Sequence, residues 1–181
     1  MSQSFSLPLS SPILIGGGRH YQPCHESVAV FRALALSGHS FHVGCARGAD
    51  QAAISYLGFF VPSALRVFAV AQSVQSAPLW VQQAPRGSVV FGAGGSLSVP
   101  IVARLMSRSL AALQGCAAAV FFSPGVGSLK VARAALKQGI PVLVCQQGCP
   151  VAPVLAVPPV VVSWFGMSFW LYQPAIQSAL F

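Results

Sequence analysis

Apolar runs and stretches with helical spacing alternate along this chain. "ILIGG" (residues 13–17) is a continuous apolar run ending in glycines, the form of a parallel strand entering a ligand loop. In "ESVAVFRALALSG", Val28, Phe31, Leu34 and Ala35 recur at helical spacing and Gly38 stops the helix. "SFHVGC" reads as a second strand, "ADQAAISYLG" as a second helix stopped by Gly58, and "LRVFAVA" as a third strand. After a break, "VPIVARLMSRSLAALQG" predicts a helix starting near Pro100. "CAAAVFFSP" predicts a central strand, "VGSLKVARAALKQG" a helix ending at Gly139, and "IPVLVC" a further strand. Strands alternating with helices predict an α/β protein: a Rossmann-like three-layer α/β/α arrangement with a mainly parallel sheet covered on both faces.

The rhythm fails in three places. Residues 1–11 are Ser-rich with Pro8 and read as a flexible N-terminal arm. Residues 72–98 carry Pro78, Pro85, a lone Trp80 and "FGAGGS", so an irregular insertion is expected, with a short helix around Trp80. Residues 138–181 contain no charged residue; the segment 146–181 is expected to form an apolar strand, "PVVVSWF", and a packing tail. The apolar stretch 151–171 is long enough to span a bilayer. Pro153, Pro158 and Pro159 interrupt it, and no Lys or Arg flanks it, so a membrane span is not expected. The whole of 12–181 is taken as a single domain, since 181 residues suffice for one core and no linker separates two periodic regions.

Composition narrows the function. The chain is 55% hydrophobic and only 7% charged, with a formal net charge of +8; its only acids are Glu26 and Asp50. Such a positive balance favours polyanionic partners such as nucleic acid or nucleotides. With so few surface charges, the apolar surface and the aromatics from Trp164 to Tyr172 fit a core or a subunit interface, so a homo-oligomer is expected. Five cysteines, an odd number, and an N-terminus without a basic region or an adequate apolar core fit reduced thiols in the cytoplasm. No metal is expected: the spacings among His20, Cys24, His25, His39, His42 and Cys45 match no standard ligand set. No cofactor is expected either.

The chemistry concentrates at Gly-rich junctions. "GGGRH" (Gly17, Gly18, Arg19), "GCARGAD" (Gly44, Arg47, Gly48, Asp50) and "SPGVGS" (Gly125, Gly127, Ser128) each follow a strand and lead toward a helix. In an open parallel sheet, ligands bind outside the carboxyl ends of the strands, where helix N-termini present amides to an anion. None of the three is a Walker loop or a complete G-x-G-x-x-G fingerprint. Arg47, Arg104 and Arg108 are candidate phosphate contacts, because a guanidinium matches phosphate oxygens bidentately. Lys130, Arg133 and Lys137 share one helix face, either a solvated face or a nucleic-acid backbone track with Arg108. Asp50, near the start of its helix, is expected to cap backbone amides, or to orient Arg47 or hold a ligand hydroxyl.

"GCARGADQAA" resembles the G-x-A-x-G-I-D motif of the DNA processing protein A (Smf) family. The block from Val99 to Cys145 is similar to that family's second block, in which a helix leads to an apolar strand, a Gly-Ser turn and a further helix and strand. The first motif also resembles the G-A-R-G-A-D stretch of small proteins of the wider SMF/LOG superfamily. The resemblance implies an extended Rossmann-like domain, single-stranded DNA as ligand, and a role in DNA processing. By position it places Arg47, Gly48, Asp50, Arg104, Gly127 and Ser128 in the family's motifs. The family's R-N pair is Val102-Ala103 here, and the Thr of the Gly-Ser block is Val131. The superfamily's phosphoribohydrolases carry a glutamate after their P-G-G-x-G-T turn; no glutamate follows Pro124–Ser128, so that hydrolysis is not expected. The leading expectation is therefore single-stranded nucleic-acid binding. A nucleotide or nucleotide-derivative binder, and a self-assembling structural protein with a degenerate site, are the alternatives.

Overall fold

A computed structural model of the chain describes residues 3–5, 7, 10–147 and 149–174. The strands are β1 Gln3–Ser4, β2 Pro12–Gly17, β3 Ser40–Val43, β4 Leu65–Phe68, β5 Val89–Val90, β6 Ala118–Phe122, β7 Val142–Cys145, β8 Val160–Trp164 and β9 Met167–Tyr172. The helices are α1 His25–Ala35, α2 Ala49–Phe60, α3 Leu79–Gln82, α4 Ile101–Leu113 and α5 Val126–Lys137. The strands form one sheet in the order β1-β8-β9-β7-β6-β2-β3-β4-β5. All pairings from β7 through β5 are parallel. The fold is a Rossmann-like α/β/α sandwich.

Strand β2 explains the two layers. Its side chains alternate between faces, and four of its six residues are buried. Ile13 and Ile15 join Val30, Phe31 and Leu34 of α1 and Ala53 and Leu57 of α2 in one core. Leu14, between them, joins Ala112 and Leu113 of α4 and Ala132 and Ala135 of α5 in the other. Strand β6 is buried along its whole length, as its unbroken "AAVFF" requires. Two structural halves diverge from β2: the chain runs outward through β3, β4 and β5, then returns to β6 on the other side. The resulting switch point lies between the carboxyl ends of β2 and β6, the crevice where such sheets bind ligands.

The irregular regions are more ordered than the pattern predicts. Within the stretch read as a flexible arm, Gln3–Ser4 pairs in parallel with β8, and Phe5 meets Trp164 edge-on at 5.7 Å. Residues 1, 2, 6, 8 and 9 of that arm lie outside the described residues. In 72–98 the helix around Trp80 is present, and Val89–Val90 adds an edge strand to β4. The apolar segment expected as one strand and a tail is a hairpin. Strand β9 pairs antiparallel with both β7 and β8, and Phe165 (φ 50°) and Gly166 (φ 76°) form its two-residue turn. Both turn residues at positive φ match the geometry that the right-handed strand twist favours. This hairpin escapes a sequence reading because Phe is a rare residue at positive φ. Residues 175–181 of the expected tail lie outside the described residues. Among the described residues no helix is long and apolar enough to cross a membrane.

Candidate functional site

A cleft of about 1390 Å³ opens over the carboxyl ends of β2, β3 and β4. Its walls come from the loops after those strands, from the first turns of α2, and from the first turns of α4. Arg19, His20, Arg47 and Arg104 line it, and among the described residues no carboxylate does. Arg19 and Arg47 are exposed at its mouth. The lining also includes Tyr21, Gln51, Tyr56 and Gln72, none of which the sequence reading singled out. Gln51 and Tyr56 lie on α2 one and six residues past Asp50, off the helix face that Asp50 occupies, so no spacing from that acid pointed to them.

A smaller cavity of about 370 Å³ adjoins it at the switch point. Gly18, Arg19, Ser123, Gly125 and Gln147 line this one. The three Gly-rich junctions are therefore divided: the first serves both cavities, the second the large cleft, the third the small one. Gly127 borders neither cavity and would accept a Cβ into open space.

The glycines of the first two junctions have packing roles first. A Cβ on Gly17 would stand 2.0 Å from the Phe122 carbonyl oxygen, and one on Gly18 would stand 2.3 Å from that of Ser123. Gly48 starts α2 at φ 77°, and a Cβ there would meet the Gly18 carbonyl oxygen at 2.2 Å. These close approaches lock the end of β2 between β6 and the start of α2. The Ala49 amide donates to the same Gly18 carbonyl at 3.2 Å, and the Gly18 amide donates to Phe122 at 3.0 Å. Ser128 is likewise turned inward. Its hydroxyl donates to the Gly17 carbonyl at 2.7 Å, which ties α5 to β2.

Asp50 corrects the sequence expectation. It neither caps α2, whose start has no side-chain cap, nor orients Arg47. Its side chain turns toward the carboxyl ends of β2 and β3 and is buried, accepting from the Ala46 amide at 3.0 Å and pairing with Arg108 at 3.2 Å. Burial raises its carboxyl above the usual range, against the opposing pull of Arg108 and the Ala46 amide. Gly44 makes room for the pair: a Cβ there would stand 1.3 Å from Arg108 Nη1 and 2.3 Å from Asp50 Oδ2.

Arg108 is thereby corrected too. It was expected to contact a nucleic-acid backbone, yet it is buried and ion-paired, because α4 packs that face on the sheet. The track of Lys130, Arg133 and Lys137 faces outward on α5, away from both cavities, and Arg133 donates to the Val154 carbonyl at 3.0 Å. Glu26, the other acid, is exposed on α1 and accepts from Gln147 at 3.1 Å. Hydrogen bonds from Cys24, its own backbone amide and Gln147 hold its carboxyl down at about 2.

The histidines and cysteines are structural where their contacts are visible. Cys24 forms a reciprocal cap with Ser27 at the start of α1. His42 Nδ1 lies 2.7 Å from the Ala112 carbonyl and 3.4 Å from Cys116 Sγ. Burial lowers the pKa of that imidazole and raises the Cys116 thiol to about 12. Cys45 is buried, and its carbonyl accepts from Trp80 Nε1 at 3.2 Å. Among the described residues, no three His, Cys, Asp or Glu side chains cluster as a metal site would require.

The fold and the cavities define a Rossmann-like α/β protein with a basic cleft at the carboxyl edge of its sheet. Comparison adds no relative: no protein-family model, no curated protein and no solved structure matches the chain.

Proposed function

We propose that this protein binds single-stranded nucleic acid in the large cleft. The carrying observation is a cleft lined by Arg19, His20, Arg47 and Arg104 and, among the described residues, by no carboxylate. Such a lining attracts phosphates along the whole groove rather than at one point. Its volume, about 1390 Å³, exceeds the range of about 300–1,000 Å³ usual for small-molecule pockets. Room for more than one nucleotide is what a strand requires. Tyr21 and Tyr56 on the wall offer aromatic surface to bases. The DNA processing protein A resemblance points the same way. The reading is one of binding. The acid of the second junction, Asp50, is buried and paired with Arg108, and Glu26 borders neither cavity.

Fluorescence titration of a labelled single-stranded oligonucleotide tests it. Affinity falls steeply as salt rises, and Arg47→Ala weakens binding and reduces the salt slope by about 1. Absence of binding at low salt rejects the reading. A second reading, nucleotide binding, rests on the smaller cavity, which lies at the sheet's switch point and has a small-ligand volume of about 370 Å³. A thermal shift with mononucleotides but not with oligonucleotides selects it.

A further inference from the structure

Helix α4 carries two buried arginines one turn apart, and among the described residues only one has a counter-ion. Arg108 has Asp50. Arg104 is 8% exposed, and its polar contact is a hydrogen bond donated from Nη2 to the Val70 carbonyl. Among the described residues its buried Nε has no partner. Among the described residues no carboxylate pairs with it: Asp50 is engaged below, and Glu26 lies on α1 against Gln147. An arginine does not shed its charge to escape burial, so an unpaired one in a protein interior is costly. Arg104 is also the buried cation that borders the large cleft, whereas Arg108 does not line it.

We infer that Arg104 forms an anion subsite at the α4 wall of the cleft, and that a phosphate group of the ligand is its missing counter-ion. The inference rests on the reading of the cleft as a phosphate-binding groove. It adds the point at which one phosphate is fixed. Arg19 and Arg47 are solvated and attract phosphates loosely; Arg104 is desolvated and held in place by its Nη2 bond to the Val70 carbonyl, so its guanidinium meets a phosphate without first being ordered. The same asymmetry couples binding to stability. The free protein carries the cost of an unpaired buried charge, and a bound anion removes it.

Thermal denaturation with inorganic pyrophosphate tests this, with sodium chloride matched for ionic strength as the control. The wild-type midpoint rises with pyrophosphate concentration and not with chloride. Arg104→Met raises the midpoint of the free protein by several degrees and abolishes the pyrophosphate-specific rise. A wild-type midpoint that ignores pyrophosphate overturns the inference, as does an Arg104→Met protein that keeps the response. Should Arg104→Met fail to fold, Arg104→Lys retains the charge without the fork. A tenfold or greater increase in the pyrophosphate needed then supports the subsite, and an unchanged response overturns it. Oligonucleotide titration separates the two claims. Binding by wild type that is unaltered in Arg104→Met removes the subsite and leaves the strand reading intact. A pyrophosphate response without oligonucleotide binding does the reverse.

Discussion

Asp50 Oδ2 and Arg108 Nη1 meet at 3.2 Å, both side chains under one-tenth exposed, joining the start of α2 to the middle of α4 past the carboxyl end of β3. Removing one member leaves the other charge buried and unpaired, which costs about 3–5 kcal/mol. Asp50→Ala is therefore expected to lose that much in urea denaturation. Replacing both, as Asp50→Leu with Arg108→Met, should cost far less, since an apolar pair of similar volume is often neutral. A double variant as unstable as Asp50→Ala would show that the pair contributes more than mutual charge cancellation.

The same carboxyl gives a pH signature. Burial raises its pKa in the folded protein above the ordinary carboxylate value. The folded state thus holds this proton more tightly than the unfolded chain does. The stability linked to it is fully present below the unfolded value and is lost as pH rises through the folded one. Asp50→Asn removes that titration. Subtracting its stability–pH curve from the wild-type curve cancels His42 and other groups. The difference is expected to decline with rising pH from the ordinary carboxylate range upward. A flat or rising difference would mean that Arg108 outweighs burial.

Two glycines of the candidate junctions should respond in opposite directions. A Cβ at Gly44 would collide with Arg108 Nη1 and Asp50 Oδ2, so Gly44→Ala disrupts the buried pair and should cost on the order of the 3–5 kcal/mol for its loss. Gly127 sits in the first turn of α5 with open space around it. Gly127→Ala lowers the entropy cost of the helix and should add roughly 0.5–1 kcal/mol. Chemical denaturation of the two variants checks both signs.

Periodicity made the central α/β core legible, because each of its elements is buried on a face its own pattern declares. The continuous apolar run of β6 and the helical spacing of α1 are examples. The C-terminal hairpin was not legible: its turn is Phe165-Gly166, without the Asn or Asp that normally marks such a turn. Short edge strands such as Val89–Val90 leave almost no pattern. Glycine and arginine marked the loops at the carboxyl ends of the strands, where the structure places both cavities. Their individual roles were hidden. Whether an arginine on α4 faces the cleft or a carboxylate depends on which neighbour across the sheet packs against it. Asp50 and Arg108 are 58 residues apart in the chain, and local spacing carries no trace of that contact.

Ser128 separates structure from recognition. Its hydroxyl donates to the Gly17 carbonyl at 2.7 Å in a partly buried setting. Ser128→Ala should destabilise the fold by about 1 kcal/mol, through loss of that bond. Since Ser128 lines neither cavity, oligonucleotide affinity should stay within twofold of wild type. A large loss of affinity with stability unchanged would place the Gly-Ser turn in the binding surface.

Basic residues should divide by location rather than by charge. Lys130 and Lys137 are exposed on α5 and border neither cavity, whereas Arg19 and Arg47 are exposed on the cleft wall. Each removes one unit from a net charge of +8, so a purely long-range attraction would be weakened alike by any of the four substitutions. A cleft-bound strand is sensitive to position. Arg19→Ala and Arg47→Ala each remove a phosphate contact and should lower the salt slope by about 1. Lys130→Ala and Lys137→Ala should leave both slope and affinity near wild type at 150 mM salt, where screening acts over roughly 8 Å. Equal losses from all four, measured in parallel oligonucleotide titrations, would mean that the strand does not occupy the cleft.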